Sequence, residues 1–328
     1  MASRKTGEFE RIATFFAPLA AGFPGALGLL DDAAVMRPAE GCQFVVTTDT
    51  IVAGVHYIGD EPADLVAQKL LRVNLSDVAA MGARPVAYTL NIALPSAIDD
   101  DWLERFTVGL AADQRRFGIA LAGGDSVSTP GPVTLTVTAI GEVAVGAELR
   151  RSGARPGDVI YVTGTIGDGA LGLKVLRGGL AGLTDVQKDA LIERYRLPQP
   201  RVACGPRLVG LAHSAIDVSD GLIADLGHIA DVSGVAAVVE AASVPLSTAG
   251  AAALELDPSL RDAVLGGGDD YELLFTAPAA AAARLASLSA ELGLPITAIG
   301  HIESGRGVRV RDAAGADIAL GVTGFTHR

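Results

Sequence analysis

Acidic residues recur in this sequence in short clusters beside Gly, Thr, Ser or Asn. Six clusters are present: Asp31-Asp32, Thr47 to Asp49, Asn74 to Asp77, Gly123 to Asp125, Asp217 to Asp220 and Gly266 to Asp270. Oxygen ligands suit Mg²⁺, which ordinarily bridges protein carboxylates to substrate phosphates. Carboxylates that converge repel one another unless cations lie between them. The clusters together predict a site for divalent cations, although any one of them could instead cap a helix or close a turn.

Asp77 gives the clearest indication, because it lies within an apolar helical pattern, VAQKLLRVNLSDVAAM. The residues that share its helix face recur at alternating spacings of four and three: Val66, Leu70, Val73 and Ala80. An ionised carboxylate taken out of water is strongly unfavourable unless a cation pairs with it. The pattern therefore predicts a helix that holds Asp77 against a cation. The alternative is a helix that ends near Ser76, with Asp77 capping the next one.

Composition limits the class of protein. A length of 328 residues predicts about two domains of roughly 150 residues each. Apolar residues form 49% of the chain, enough for sizeable cores, and the net charge of −12 argues against nucleic acid as a partner. Two cysteines predict neither a disulfide framework nor a zinc site. With no apolar stretch long enough to span a membrane, we expect a soluble, cytoplasmic protein.

Strands alternate with helices in both halves, which predicts two α/β domains, 1–150 and 151–328, joined near Arg150 to Asp158. The main strands are predicted at 43–47, 86–94, 119–122, 133–143, 159–163, 235–239 and 271–276, and the main helices after Pro62 and at 99–117, 169–176, 185–195 and 201–213. Several acidic clusters are expected where a strand gives way to a turn, the edge at which open α/β sheets bind ligands.

A polyphosphate ligand would have to be bound by an acidic, metal-rich route, because the chain has neither a Walker A motif nor a kinase catalytic loop. At this point a family resemblance becomes clear. The segments that carry it are, in order, TTDTIVAGVHY, KLLRVNLSDVAAMGARP, GGDS, RSGARPGDVIYVTGTIGDGALGL, AIDVSDGLIADLGHIA and GGDDYELLFT. They resemble the thiamine-monophosphate kinases, which belong to the ATP-binding superfamily that includes aminoimidazole ribonucleotide synthetase and selenophosphate synthetase. The resemblance runs from Gly7 to Phe325.

The resemblance implies ATP-dependent, in-line phosphorylation of thiamine monophosphate to the diphosphate on a homodimer. The N-terminal domain would bind ATP and several Mg²⁺ ions and form the dimer, and the C-terminal domain would complete the active site. The implied magnesium ligands are Asp32, Thr47, Thr48, Asp49, Asp77, Asp125, Asp217 and Asp220. Four of these are the implied catalytic residues: Asp49, Asp77, Asp125 and Asp220. The implied ATP contacts are Gly124, Asp125, Arg151 and Ser219, and the implied substrate contacts are His56, Asp269 and Phe325.

Two residues depart from the family pattern. Leu30 precedes Asp31-Asp32 where the family usually has Gly, which could shift that loop, and Asp269 stands where the family usually has Glu. Asp270 and Glu272 are interpreted as structural. Two alternatives stay open: another ATP-dependent enzyme of the same superfamily with a different acceptor, and a binding module without catalysis. Selenophosphate synthetase and the carbamoyl-transfer maturation enzyme are disfavoured, because the reactive cysteines they need are missing from the corresponding segments.

Overall fold

The computed structural model describes residues 7–321 and 324, and its contacts divide the chain into two units. The first unit comprises Met1–Val78 and Ala83–Gly146, and the second comprises Ala79–Gly82 and Ala147–Arg328. The division falls close to the expected boundary, except that the four residues from Ala79 to Gly82 pack with the second unit. Within the described ranges, no helix combines the length and the apolar character needed to cross a membrane.

The first unit starts with a broken helical segment and continues as a four-stranded sheet with two long helices. Its elements are α1 (Glu8–Arg11), a π-helical turn (Ile12–Phe16), α2 (Ala17–Ala20), a 3₁₀ segment (Pro24–Leu29), β1 (Cys42–Val52), α3 (Ala63–Ala80), β2 (Arg84–Leu94), α4 (Asp100–Phe117), β3 (Ala120–Ser128) and β4 (Thr134–Ala144). The strand order is β1-β4-β2-β3. Strands β2 and β3 are parallel and are joined by α4, whereas the other two pairs are antiparallel.

The two faces of this sheet have different surroundings. Thr47 of β1 lies opposite Ala139, which lies opposite Tyr88. This face carries the helices, because Thr47 bonds to a residue of α3 and the hydroxyl of Tyr88 bonds to Gln114 of α4. Thr48 and the residues paired with it belong to the other face, on which Val46, Thr48 and Thr50 are exposed.

Helix α3 is continuous through Asp77 to Ala80, so the alternative of a helix that ends near Ser76 is wrong. The prediction of one apolar face is also wrong, because α3 is buried around most of its circumference, including Lys69 and Arg72 at 4% and 2% exposure. Asp77 is instead half-buried. Arg72 is compensated by Asp113 of α4, with Nε and Nη2 donating to the two carboxylate oxygens at 2.7 and 2.9 Å.

The second unit contains a six-stranded sheet of order β10-β7-β9-β5-β8-β6. Its elements are β5 (Asp158–Thr163), α5 (Asp168–Leu176), α6 (Asp185–Arg196), α7 (Gly205–Leu208), β6 (Ser214–Asp217), α8 (Leu222–Ser233), β7 (Ala236–Glu240), α9 (Thr248–Leu256), α10 (Arg261–Gly266), β8 (Leu273–Pro278), α11 (Ala282–Leu292), β9 (Ile296–Glu303) and β10 (Gly307–Arg311). Successive residues of β5 point to opposite faces of the sheet and enter different cores. Ile160 packs with residues of α8, and Tyr161 packs with residues of α11. Helices therefore cover both sheet faces, and the predicted α/β class is confirmed.

Three predicted elements have bounds that are wrong by more than two residues. Strand β1 continues through Asp49 to Val52, and β3 includes Gly123 to Asp125, so both acidic clusters lie within strands rather than in the turns that follow them. Pairing with β4 along all eleven residues of β1 explains the first difference. The helix predicted at 201–213 is reduced to the four residues of α7. Pro206 lacks an N–H group and stands near the start of α7, and Gly210, at φ 76°, adopts a left-handed conformation after it.

The Arg72–Asp113 pair gives a test of the first unit. We expect Asp113→Ala to lower the free energy of unfolding by about 3–5 kcal/mol, because it leaves a buried guanidinium without its carboxylate. The double variant Arg72→Met/Asp113→Leu should recover most of that loss, because the buried charge is then absent. Urea unfolding measures both effects.

The exposed pair of Arg207 and Glu291 supplies the control, because its side chains are 50% and 57% exposed. Glu291→Ala should cost less than about 1 kcal/mol. An Asp113→Ala variant no less stable than Glu291→Ala would contradict the role given to the buried pair.

Candidate functional site

A cavity of about 330 Å³ lies in the first unit between the N-terminal helical segment and strands β2 and β3. Its apolar wall includes Phe16, Leu90 and Leu121, and its polar lining includes Asp32 and the Gly124-Asp125 pair. The structure thus brings together two predicted magnesium ligands, Asp32 and Asp125, which are almost a hundred residues apart in sequence. Asp125 and its neighbour Gly124 are also predicted ATP contacts. The volume and the mixed lining suit a small-molecule site.

Gly124 is required at this position by the packing of β3 on β2. A Cβ atom on Gly124 would lie 1.9 Å from the carbonyl oxygen of Leu90, whereas one on Gly123 would meet nothing within 4 Å. Asp125 follows directly and is exposed, with Oδ1 accepting the N–H of Ser126 at 2.8 Å. The close approach of the two strands therefore fixes the backbone that carries Asp125.

Strand β1 and helix α3 hold a second group of predicted residues. The Thr47 hydroxyl donates to Oδ2 of Asp77 at 2.6 Å, and the N–H of Asp49 donates to Oδ1 of Asn74 at 3.0 Å. Asn74 is fully buried and its amide donates to the carbonyl of Leu70, so its orientation is fixed. The structure therefore places Thr47, Asp49 and Asp77 at one contact between strand and helix. Thr48 points to the other face of the sheet, where its hydroxyl donates to the carbonyl of Val137.

His56 lies just after β1 and is half-buried. Its Nδ1 accepts the N–H of Val52 at 3.1 Å. A ring nitrogen that accepts a peptide N–H is unprotonated, so the proton of the neutral ring is on Nε2. The second ring nitrogen is therefore a hydrogen-bond donor.

In the second unit, two loops bring the remaining acidic residues together. Asp217 ends β6 and is 4% exposed, and the half-buried Ser219 and Asp220 follow it. The carbonyl of Ser219 accepts the N–H of Asp269 at 2.9 Å. A Cβ on Gly268 would lie 2.1 Å from the same carbonyl oxygen, so the two loops are in direct backbone contact.

Buried carboxylates hold both loops. Asp225, 2% exposed, accepts N–H groups of the first loop, and burial raises its pKa to about 7 even though these bonds lower it. Asp270 accepts the N–H groups of Gly167 and Gly169 at 2.7 and 3.0 Å. Burial likewise raises the pKa of Asp270, to about 8. Sequence reasoning assigned neither residue to the site. For Asp225 the sequence does contain a signal, because an acidic residue in the first turn after a Gly is typical of a helix start.

Glu272 lies next to this loop and is completely buried. Its carboxylate accepts from Arg194 at 2.8 Å, from Nε of Arg201 at 2.6 Å and from the Thr163 hydroxyl at 2.7 Å. These contacts agree with the interpretation of Asp270 and Glu272 as structural residues.

Other predicted residues lie apart from these groups. Arg151 is exposed, and its carbonyl accepts from Ser233 at the C-terminal end of α8, whereas Ser219 precedes the N-terminal end. The two predicted ATP contacts are thus separated by the length of a twelve-residue helix, about 18 Å. Phe325 lies outside the described residues. Leu30 has φ −103° and is 89% exposed, so its side chain needs no unusual backbone where the family has Gly.

The donor chemistry of the first unit fits Mg²⁺, because its predicted ligands offer carboxylate and hydroxyl oxygens and neither thiolate nor imidazole. In residues 7–321 and 324, no three acidic, His or Cys side chains are grouped closely enough to hold a metal ion by themselves. Magnesium is commonly bound by one or two carboxylates together with phosphate and water. Pairs of acidic side chains are therefore sufficient ligands for such an ion.

Family models agree with the two-unit structure. The model of the AIR synthase related protein N-terminal domain matches residues 30–143, and that of the C-terminal domain matches residues 155–313. The fold and the matched ranges define an AIR synthase related protein with two α/β domains.

Individual relatives narrow this class. The thiamine-monophosphate kinase of Caulobacter vibrioides is 41% identical over 323 residues, covering 98% of this chain and 90% of that protein. The Escherichia coli enzyme is 44% identical over 298 residues, covering 90% of each. The crystal structure of thiamine-monophosphate kinase from Stenotrophomonas maltophilia superposes with a TM-score of 0.79 at 47% identity, covering 86% of this chain and 89% of that one. AaThiL complexed with AMPPCP and TMP superposes with a TM-score of 0.78 at 28% identity over the whole of both chains. The chain therefore belongs to the thiamine-monophosphate kinase family.

The contact between β3 and β2 can be tested with neighbouring glycines. We expect Gly124→Ala to lower the free energy of unfolding by about 1–3 kcal/mol, because the new methyl group would displace the backbone of Leu90. Gly123→Ala is the matched control and should be neutral or slightly stabilising, since its methyl group would enter open space. Urea unfolding compares the two. Equal losses in both variants would contradict the close packing at Gly124.

Proposed function

We propose that this protein transfers the γ-phosphoryl group of ATP to thiamine monophosphate, producing thiamine diphosphate and ADP. The observation that carries the proposal is near-full-length similarity to thiamine-monophosphate kinases, including one whose structure contains AMPPCP and TMP. The cavity that joins Asp32 to Gly124 and Asp125 supports it at the level of the site. A superfamily relative with a different acceptor is the second candidate, motivated by Asp269 in place of the usual Glu.

The acceptor explains why the chain needs no general base. The nucleophile is a phosphate oxygen, which is already anionic near neutral pH, so catalysis consists of in-line placement and charge neutralisation. Magnesium supplies that neutralisation when it is bound. The residues that would hold it are Asp32, Thr47, Asp49, Asp77 and Asp125 in the first unit and Asp217 and Asp220 in the second. Thr48 is left out of this set, because its side chain lies on the opposite face of the sheet and donates to the carbonyl of Val137.

The remaining predicted residues bind the two substrates. Gly124 and Asp125 are the proposed ATP contacts of the first unit, and Ser219 and Arg151 are those of the second, where the Arg151 guanidinium would form charge-assisted bonds to phosphate. His56 donates through Nε2 to the thiamine phosphate, as its fixed tautomer permits. Asp269 and Phe325 hold the thiamine group, with the aromatic ring of Phe325 against the cationic thiazolium.

The first unit also forms a homodimer in this proposal. One face of its sheet carries helices, while the opposite face leaves Val46 and Val127 62% and 50% exposed beside a row of threonines. A second copy of the chain would cover this face and bury the valines. We place the protein in the cytoplasm, in agreement with two free cysteines.

Product analysis tests the activity. The purified protein, mixed with ATP, Mg²⁺ and thiamine monophosphate, should form thiamine diphosphate and ADP, and EDTA should stop the reaction. ATP binding without thiamine diphosphate would mean that the acceptor is wrong. Other phosphate and amide acceptors would then be compared in the same assay.

Asp77→Asn tests the metal-binding residues within this assay. The amide oxygen still accepts from Thr47, so the fold should persist, but loss of the negative charge should reduce turnover by more than about 100-fold. Asp64→Asn, in the first turn of the same helix, is the control and should keep its activity. Near-normal turnover by Asp77→Asn would remove this residue from the metal site.

Sedimentation equilibrium tests the dimer. We expect the wild type to be dimeric and Val46→Glu to be monomeric, because the new carboxylate would be buried in the interface. The control is Val186→Glu, a change of equal chemistry at a 79% exposed valine of α6. A monomeric wild type, or a dimeric Val46→Glu variant, would contradict the proposed interface.

A further inference from the structure

Asp225 makes an unusual set of hydrogen bonds at the start of α8. One of its oxygens, Oδ2, accepts the N–H groups of Ser219, Asp220 and Gly221 at 3.0, 3.1 and 3.1 Å. Three consecutive peptide N–H groups therefore converge on one buried oxygen. Such convergence fixes the backbone dihedral angles of the segment that supplies the donors.

These bonds differ from an ordinary helix cap. A capping side chain satisfies N–H groups of the first helical turn, such as those of the second and third residues. Here the helix begins at Leu222, and all three donors precede it. Gly221 occupies the N-cap position, where it has no side chain to offer. The carboxylate of Asp225 thus reaches back from the first turn and stabilises the loop before the helix.

The same loop is held from its opposite side by backbone atoms. The carbonyl of Val218 accepts the N–H of Tyr271 at 2.8 Å, and the carbonyl of Ser219 accepts the N–H of Asp269. The backbone N–H groups of the loop therefore bond to Asp225, and its backbone carbonyl groups accept bonds from the segment around Asp269. Because the loop is fixed on both sides, the positions of Ser219 and Asp220 depend on both contacts.

We propose that Asp225 is a positioning residue for nucleotide and metal binding, which sets the backbone of Ser219 and Asp220 without touching either substrate. The inference rests on the proposed function, in which Ser219 binds ATP and Asp220 binds Mg²⁺. Residues that hydrogen-bond to a metal ligand commonly orient that ligand, and their loss lowers metal affinity or activity by about 10–100-fold. We assign this role to Asp225.

Three variants separate positioning from folding. Asp225→Ala removes the acceptor, and Asp225→Asn keeps an oxygen in the same place. Asp158→Asn is the matched control, since Asp158 is 3% exposed in the same unit, accepts the N–H of Arg155 at 2.9 Å and contacts His213, and is assigned to neither substrate. Each variant is measured by thermal unfolding, by calorimetric binding of AMPPCP with Mg²⁺, and by the KM for thiamine monophosphate.

We expect Asp225→Ala to weaken AMPPCP binding and raise the half-saturating Mg²⁺ concentration by about 10–100-fold, with the KM for thiamine monophosphate unchanged within about twofold. Asp225→Asn should recover most of the AMPPCP affinity. Asp158→Asn should lower only the unfolding temperature. A residue needed only for folding would not weaken AMPPCP binding while leaving the KM for thiamine monophosphate unchanged.

Several results would overturn the inference. One is an Asp225→Ala variant that is less stable but binds AMPPCP and Mg²⁺ as the wild type does. If Asp225→Ala does not fold, Asp225→Glu decides, because its extra methylene keeps the carboxylate but moves its oxygen away from the three N–H groups. Wild-type AMPPCP affinity in Asp225→Glu would restrict the role of Asp225 to folding, and a selective loss of affinity would support positioning. A wild type that binds AMPPCP without forming thiamine diphosphate would refute the proposed function, yet the binding comparison would still test Asp225. No AMPPCP binding by the wild type would refute both.

Discussion

A buried carboxylate that accepts peptide N–H groups is the interaction on which the acidic loops of this protein depend. The chain has a net charge of −12, and the predicted site residues are themselves acidic. Further exposed carboxylates near the site would repel the phosphates of ATP, so the supporting acidic residues have to be buried. Asp225 and Asp270 meet this requirement through three and two peptide N–H bonds. Peptide groups carry no net charge, so they bind these carboxyl groups without a basic side chain that ATP phosphates would also attract. Their hydrogen bonds lower the pKa of each carboxyl group, whereas burial raises it.

The loop around Asp269 shows what such stabilisation permits. Asp269 and Tyr271 both have positive φ, 70° and 53°, in a region that costs a non-glycine residue about 1–2 kcal/mol. Asp270 lies between them with both carboxylate oxygens bound, and the N–H groups of Asp269 and Tyr271 bond to Ser219 and Val218. The strained backbone persists because hydrogen bonds fix it on both sides. The segment around Asp269 is consequently held by Asp270 as well as by the Ser219 loop, so it has an anchor of its own that does not depend on Asp225.

Sequence reasoning predicted the elements well where local pattern decides them. The α/β class, helix α4 and strand β4 follow from periodicity and from signals such as Asp99 before the helix and Gly118 after it. Strand ends were less predictable, because they depend on pairing partners remote in sequence. Asp49 lies inside a strand since β4 continues opposite it, and Gly124 lies inside another because its missing Cβ lets β3 approach Leu90.

The candidate site was predictable only in part for a related reason. Residue types and order identified the acidic clusters and the family, but not the groups that support them. Asn74, Asp225 and Asp270 act through hydrogen bonds to the backbone, whose geometry a sequence does not specify. The environment of Asp77 was mispredicted because Arg72, although charged, is buried by pairing with Asp113. The prediction treated the charged residues of α3 as exposed, and it therefore assigned the buried and exposed faces of this helix wrongly.

The strand order of the two sheets has a consequence for synthesis on the ribosome. The first sheet has all its strands once Ala144 has been made. In the second sheet, β5 lies between β8 and β9, so neither neighbour of this Val- and Ile-containing strand exists until more than a hundred further residues have been added. Strands that wait for distant partners fold late and expose unpaired edges. The nascent second unit should therefore be the part of the chain that chaperones bind, after the first sheet has already formed.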